Sequence, residues 1–130
     1  TEGTWFSGQH AATWLGEERV LMYDNGNEKP ASERISRAVE YELDREAGTV
    51  RQVWSYDLGI YTSSTGDADR LANGNTLITA AGTRTPGADM RVVEVTPAGE
   101  VVWEVNANSD VRSFRATRVD WVMRRSEVRE

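Results

Sequence analysis

The feature of this sequence that most restricts its fold is an internal repeat with a period of about fifty residues. Its offset shrinks along the chain, which indicates shorter loops in the second copy. Repeats of this period are typical of architectures in which each unit buries its apolar surface against the next. The anchors are Ala12 with Ala68 at an offset of 56, residues 37–41 with 91–95 at 54, and Trp54 with Trp103 at 49.

Each copy contains four short segments in which apolar and polar residues alternate, and turn residues separate these segments. Helical periodicity is not sustained anywhere. Asn73 and Gly74 favour positive φ angles and predict a tight hairpin in the second copy. The predicted strands are residues 10–15, 19–23, 36–43 and 50–56, and then 68–71, 76–80, 90–95 and 101–105.

A four-stranded meander cannot cover both of its apolar faces, whereas packing several around a common axis covers them. The sequence therefore predicts an all-β fold with two four-stranded antiparallel blades of a β-propeller, in residues 1–58 and 59–109. Residues 114–122, within the segment 110–130, read as one further C-terminal strand that begins a third blade or closes the ring. A two-sheet sandwich is the alternative, because eight short strands also suit that architecture.

Composition excludes several classes of function. The formal net charge of -6 argues against nucleic acid as a partner, and the absence of cysteine removes disulfides and thiolate chemistry. No apolar run approaches the roughly 20 residues that span a bilayer, so we expect no membrane span. The C-terminal arginines are interleaved with acidic residues, which predicts a solvated, self-neutralising edge. They are Arg112, Arg115, Arg118, Arg124, Arg125 and Arg129.

Short motifs along the chain occur in the order and spacing of a known family. The most specific are S-R-x-V-E-Y at residues 36–41 and G-T-V-x-Q-x-W at 48–54; the others are Q-H at 9–10, D-N-G at 24–26 and G-D-x-x-R-L-x-N-G-N-T-L-I at 66–78. The chain thus resembles the C-terminal portion of bacterial aryl-sulfate sulfotransferases. The resemblance implies a six-bladed propeller in the intact protein, so further blades would come from the same protein or from identical chains.

The resemblance also implies an activity: a histidine takes a sulfuryl group from an aryl sulfate and passes it to a phenol, without a cofactor. His10 is the one histidine of the chain and lies in the Q-H motif, where an innermost strand is predicted. Imidazole suits this chemistry because it is nucleophilic near neutral pH. His10 is therefore the candidate catalytic residue; the alternative is a channel-lining or turn histidine with satisfied hydrogen bonds. Enzymes of the family work outside the cytoplasm, which implies a periplasmic or secreted protein.

Sulfuryl oxygens require cationic donors. The family has an arginine soon after the D-N-G turn, where this chain has Lys29, so Lys29 is the candidate substrate-binding residue, with Arg34 and Arg37 as further candidates. The family uses several histidines, whereas the second copy here has none. A non-catalytic propeller module that binds ligands or other proteins is therefore the alternative function.

Structural roles explain several other residues that could take part in catalysis or binding. Asp24, Asp67 and Asp69 could form a carboxylate pair or a cation site, but turn capping and solvated strand ends explain them better. Residues 24–27 lack the spaced acidic ligands of a calcium loop, so we predict no metal site. The repeat positions of Trp14, Trp54, Trp103 and Trp121 favour packing between blades over a stacking platform for aromatic ligands.

Overall fold

The structure, a computed structural model, describes residues 5–81, 89–108 and 111–119. These residues contain two four-stranded antiparallel sheets, each with its strands side by side in sequence order, and a 3₁₀ turn at Ala31–Glu33. The first sheet consists of β1 (His10–Gly16), β2 (Arg19–Asp24), β3 (Arg37–Asp44) and β4 (Thr49–Asp57). The second consists of β5 (Asp67–Arg70), β6 (Thr76–Ala81), β7 (Met90–Val95) and β8 (Val101–Ala107).

The all-β prediction, with two four-stranded antiparallel meanders, is confirmed. Each of the eight strands predicted within the two repeats is present, and its ends lie within two residues of the expected positions. The further strand predicted at residues 114–122 falls partly outside the described residues. Its described part, residues 114–119, joins neither sheet as a strand. It contacts the second sheet instead through Arg115, Ala116 and Arg118.

The core lies between the two sheets, because successive side chains of a strand point to opposite faces and the apolar ones meet there. Leu21 and Tyr23 of β2 and Ala38 of β3 contribute from the first sheet, and all three are fully buried. The second sheet contributes Ala68, Ile78, Ala80, Val93 and Val95. The two sheets therefore pack face to face, as propeller blades do.

A polar contact joins the sheets beside this core. The Arg70 guanidinium of β5 pairs with the Glu40 carboxylate of β3 and lies 5.0 Å from the centre of the Trp54 ring. The indole Nε1 of Trp54 donates to the carbonyl of Pro97 at 2.9 Å, which is a second link between the sheets. Trp54 thus packs between sheets, as its repeat position predicts.

The outer face of each sheet has a partial cover. Met22, Val39 and Tyr41 of the first sheet contact Phe6, which precedes β1. The outer face of the second sheet carries residues 115–118, and an open cavity of about 550 Å³ lies beside this segment on the same face. The residues that line the cavity include Leu77, Val92, Trp103, Ala116 and Arg118. No helix in the described parts of the chain is long and apolar enough to cross a membrane.

Candidate functional site

His10 begins β1 at one end of the first sheet and is half-buried. The next residue, Ala11, has a φ of 50°, and the pairing of β1 with β2 shifts between His10 and Thr13. Such an irregularity re-aims side chains at a strand end. Thr65, in the loop between the two sheets, has a φ of 61°, which is unusual for a β-branched residue. Strained backbone therefore flanks His10 on two sides.

Both ring nitrogens of His10 have partners within the chain. Nδ1 lies 2.7 Å from Oδ1 of Asn25, the residue that follows β2. Nε2 accepts a hydrogen bond from the backbone N–H of Thr65 at 3.2 Å. The ring is thus held between the end of β2 and the loop that connects the two sheets.

Asn25 is fully buried and is itself held by that loop. Its Nδ2 donates to the backbone carbonyls of Thr62 at 2.6 Å and Thr65 at 3.0 Å. The Thr62 hydroxyl lies 2.7 Å from the Tyr23 hydroxyl and 3.3 Å from the Ser36 hydroxyl. Burial raises the pKa of Tyr23, so this phenol remains protonated as part of the network. A buried polar network therefore holds Asn25 in place, and Asn25 in turn contacts His10.

Arg37, a predicted substrate-binding residue, lies in a buried ion pair. Its Nε is 2.8 Å from Oδ2 of Asp24, and the two side chains are 5% and 0% exposed. Oδ1 of Asp24 accepts from the backbone N–H groups of Ser7 and Gly26, each at 2.9 Å. Contact of Arg37 with substrate stays a prediction, but its position favours the structural role of neutralising Asp24.

Lys29 and Arg34, the other two predicted substrate-binding residues, lie together on the loop that starts at Asn25. The Lys29 side chain runs along Gly26. The Nε of Arg34 donates to the Lys29 carbonyl at 3.0 Å, and its guanidinium lies 5.7 Å from the centre of the Tyr61 ring. Within the described residues neither cation forms an ion pair. The fold therefore brings Lys29 and Arg34 together and places Arg37 in a different environment.

The aspartates and tryptophans fit their predictions unevenly. Asp24 does cap a turn, but it is fully buried. Asp67 is also buried and is paired with Arg115 at 2.7 Å, so neither aspartate is a solvated strand end. Trp14 and Trp103 are about half exposed, and Trp121 lies outside the described residues. Among the described residues no three His, Asp or Glu side chains are grouped so as to hold a metal ion.

Sequence reasoning missed the partners of His10. Asn25 was assigned only to a turn motif, and residues 62–65 were assigned no role. One signal was available: Asn25 lies two residues after the strand predicted beside that of His10, so both lie at the same end of the sheet. The approach of Thr65 depends on how the two sheets dock, which the sequence does not encode locally.

The chain is similar to known proteins of one family. A model of the family described as Arylsulfotransferase (ASST) matches residues 1–119. Two relatives, an arylsulfate sulfotransferase AssT from Escherichia coli and one from Lelliottia amnigena, are each 44% identical to the chain over 55 residues. The matched part is 37% of this chain and 9% of each relative, so the chain spans a small share of their length.

Proposed function

The chain belongs to the arylsulfotransferase family, and on that premise we propose that it is part of an enzyme that transfers a sulfuryl group from an aryl sulfate to a phenol, with His10 as the nucleophile. The observation that carries the proposal is the position of His10. It is the single histidine of the chain, it lies at a sheet end beside strained backbone, and Nε2 has the lone pair that accepts from Thr65.

The proposed reaction has two displacement steps at sulfur. In the first, Nε2 of His10 attacks sulfur, an N–S bond forms, the S–O bond to the aryl group breaks, and the phenolate leaves. In the second, the oxygen of an acceptor phenol attacks sulfur, the N–S bond breaks, and the proton of the acceptor passes to a base. The His10 imidazole is thereby regenerated, and no oxidant, reductant or cofactor is required.

The first step requires the contact between His10 and Thr65 to open. The lone pair of Nε2 holds the Thr65 N–H at 3.2 Å in this structure, so the same lone pair is not available to attack sulfur. Binding of the aryl sulfate would then displace the Thr65 N–H from the ring. The cations of Lys29 and Arg34, on the adjacent loop, suit the role of attracting the sulfuryl oxygens.

We further propose that residues 115–119 begin a third blade. Their sequence, R-A-T-R-V, repeats the A-x-R-aliphatic pattern of residues 67–71, D-A-D-R-L. Ala116 packs on the outer face of the second sheet, as Ala68 packs against the first. Arg118 pairs with Glu94, which is the repeat equivalent of the Glu40 that pairs with Arg70.

Three more strands beside this segment would fill the cavity of about 550 Å³ and cover Trp103, which is 50% exposed whereas its repeat equivalent Trp54 is packed between sheets. Hydrogen exchange of the intact protein tests this assembly. The backbone amides of residues 115–119 should be protected by pairing with a neighbouring strand, and rapid exchange of all of them would contradict the proposal. The mass of the protein in solution then separates further blades of one long chain from blades supplied by identical chains.

A single variant tests the catalytic role. In the intact protein, His10→Ala should reduce transfer from p-nitrophenyl sulfate to phenol by more than about 10³-fold, since it removes the group that forms the covalent intermediate. Thr13→Ala, an exposed change on the same strand, is the control and should retain activity. Mass spectrometry of protein mixed with donor alone should find a sulfuryl adduct on the peptide that contains His10.

A non-catalytic ligand-binding or protein-binding module is the second candidate, and one observation favours it. Both ring nitrogens of His10 are hydrogen-bonded within the chain, which is the pattern of a structural histidine. No transfer activity in the intact protein would support this candidate, whereas full activity in His10→Ala would show that His10 is not the nucleophile. By analogy with the family, we place the protein in the periplasm or outside the cell.

A further inference from the structure

We propose that Asn25 is a positioning residue that fixes the tautomer of His10, with the proton on Nδ1 and the lone pair on Nε2. The purpose of this arrangement rests on the proposed function, since a nucleophilic imidazole must present an unprotonated nitrogen to sulfur. The physical claim concerns the ring alone and can be measured without any substrate.

The orientation of the Asn25 amide follows from its surroundings. Its Nδ2 faces two backbone carbonyl oxygens, those of Thr62 at 2.6 Å and Thr65 at 3.0 Å, and carbonyl oxygens can only accept hydrogen bonds. Turning the amide over would place Oδ1 against both carbonyls in a fully buried position. The acceptor Oδ1 therefore faces Nδ1 of His10 at 2.7 Å, and this contact is a hydrogen bond only if Nδ1 carries the proton.

A second contact assigns the same tautomer. The backbone N–H of Thr65 can only donate, and it points to Nε2 at 3.2 Å, so Nε2 must have its lone pair free of a proton. The opposite tautomer would lose both hydrogen bonds and would set donor against donor and acceptor against acceptor. The two contacts come from different segments, and both give one answer.

The chemical consequence depends on the acceptor being an amide. Once Nε2 binds sulfur, the ring holds Nδ1–H and carries positive charge. A carboxamide oxygen is a weak base, so it keeps this proton in place without removing it. The ring can then leave sulfur as neutral imidazole in the second step, which makes the N–S bond easier to break than if an imidazolate had to leave.

Nuclear magnetic resonance can test the claim directly, because the imidazole signals that disappear in a His10→Ala variant are those of His10. In ¹⁵N-labelled intact protein, at a pH where the ring is neutral, Nδ1 should show the shift of a protonated nitrogen and Nε2 that of an unprotonated one. Asn25→Ala should give a mixture of tautomers or the reverse tautomer. It should also reduce kcat by at least about tenfold, because a reactive imidazole that is not held in the correct tautomer and orientation is a much poorer catalyst.

Two further variants distinguish an effect on the position of the His10 ring from an effect on the contacts that hold the two loops together. Asn27→Ala removes bonds between the same two loops, to the Ser63 carbonyl and from the Tyr61 hydroxyl, each at 3.1 Å, without touching His10. Its imidazole spectrum should match that of the wild type. Asn25→Asp retains an acceptor for Nδ1 and should retain the tautomer, although it faces two carbonyls with a carboxylate and should lower stability.

The wild-type spectrum alone can overturn the proposal, even if Asn25→Ala does not fold. A proton on Nε2, or two tautomers in exchange, contradicts it, as does an Asn25→Ala spectrum identical to that of the wild type. A spectrum as expected in a protein with no sulfuryl-transfer activity would reject the proposed function and leave the role of Asn25 in the tautomer intact.

Discussion

The backbone at Gly66 touches the ring of Tyr23: a Cβ atom on Gly66 would lie 2.4 Å from both Cδ1 and Cε1 of that ring. Gly66 also has a φ of 126°, and the Tyr23 ring is fully buried in the core between the sheets. This contact sets how closely the loop that carries Thr65 approaches the end of β2.

Gly66→Ala should lower the free energy of unfolding by about 3 kcal/mol or more, because the buried ring cannot move aside without disturbing the core. Gly59→Ala is the matched control: its φ is 72° and no atom lies within 4 Å of the added methyl group. It should cost only the backbone strain, about 1–2 kcal/mol. Urea denaturation measures both, and equal losses would show that the contact is unimportant.

Arg37→Ala should lower the free energy of unfolding by about 3–5 kcal/mol, because it leaves the carboxylate of Asp24 buried without its cation. The double variant with Asp24→Ala should lose less than the sum of the single variants. Arg45→Ala removes an exposed ion pair with Glu18 and should cost less than about 1 kcal/mol. An Arg37→Ala protein as stable as the Arg45→Ala control would argue for a role of Arg37 other than neutralising Asp24.

Asp69 should make the fold less stable at neutral pH than in mild acid. Burial and the nearby charge of Asp67 raise the pKa of Asp69, so the folded state binds more protons than the unfolded state between the unfolded pKa, about 4, and the raised value. Stability contributed by this group therefore falls as pH rises through that window. Asp69→Asn should increase the melting temperature modestly at pH 7, with the gain vanishing below about pH 4.

Glu94 provides the opposite control for that measurement. Hydrogen bonds from Asn75 and Asn73, together with the charge of Arg118, lower its pKa, so its contribution is present at neutral pH and is lost as pH falls. Glu94→Gln should reduce the melting temperature at pH 7. If both variants shift stability in the same direction, the assignment of these two pKa directions is wrong.

Thr65→Gly should raise the free energy of unfolding by about 1 kcal/mol, because a β-branched residue at a φ of 61° is strained and glycine is not. Thr13→Gly, on an exposed part of β1, should instead lower it by roughly 0.5–1 kcal/mol. Thermal denaturation of the two variants makes the comparison. A loss of stability in Thr65→Gly would indicate that the Thr65 hydroxyl, which donates to the Ser64 carbonyl, outweighs the strain.

Local pattern carried most of the fold. Alternation within each repeat specified the strands because every strand except β8 has a side chain in the core between the sheets or packed against it, and Asn73 with Gly74 marked the hairpin of the second copy. Residues 114–119 alternate in the same way but meet only side chains of one sheet in the described structure, so the pattern predicted a strand without its pairing partner.

The site was predicted less completely than the fold. His10 stood out as the one histidine within a motif, yet its partners come from the end of β2 and from the connection between the sheets. Arg37 was a candidate for substrate contact on its charge alone, because the sequence shows charge but not the burial of this side chain beside Asp24, and the contact with substrate stays a prediction. Contacts between distant segments, and the desolvation of a charge, are properties of the packed chain.

Glu40 of the first sheet pairs with Arg70, and Glu94 of the second sheet pairs with Arg118. Each sheet thus presents a carboxylate to an arginine of the segment that follows it in the chain. Because both partners of this ion pair recur at equivalent positions of the repeat, duplication of a repeat also duplicates the ion pair. Gain or loss of a whole repeat during evolution would therefore preserve the ion pairs between the remaining repeats. The number of repeats could then change without the evolution of a new contact surface.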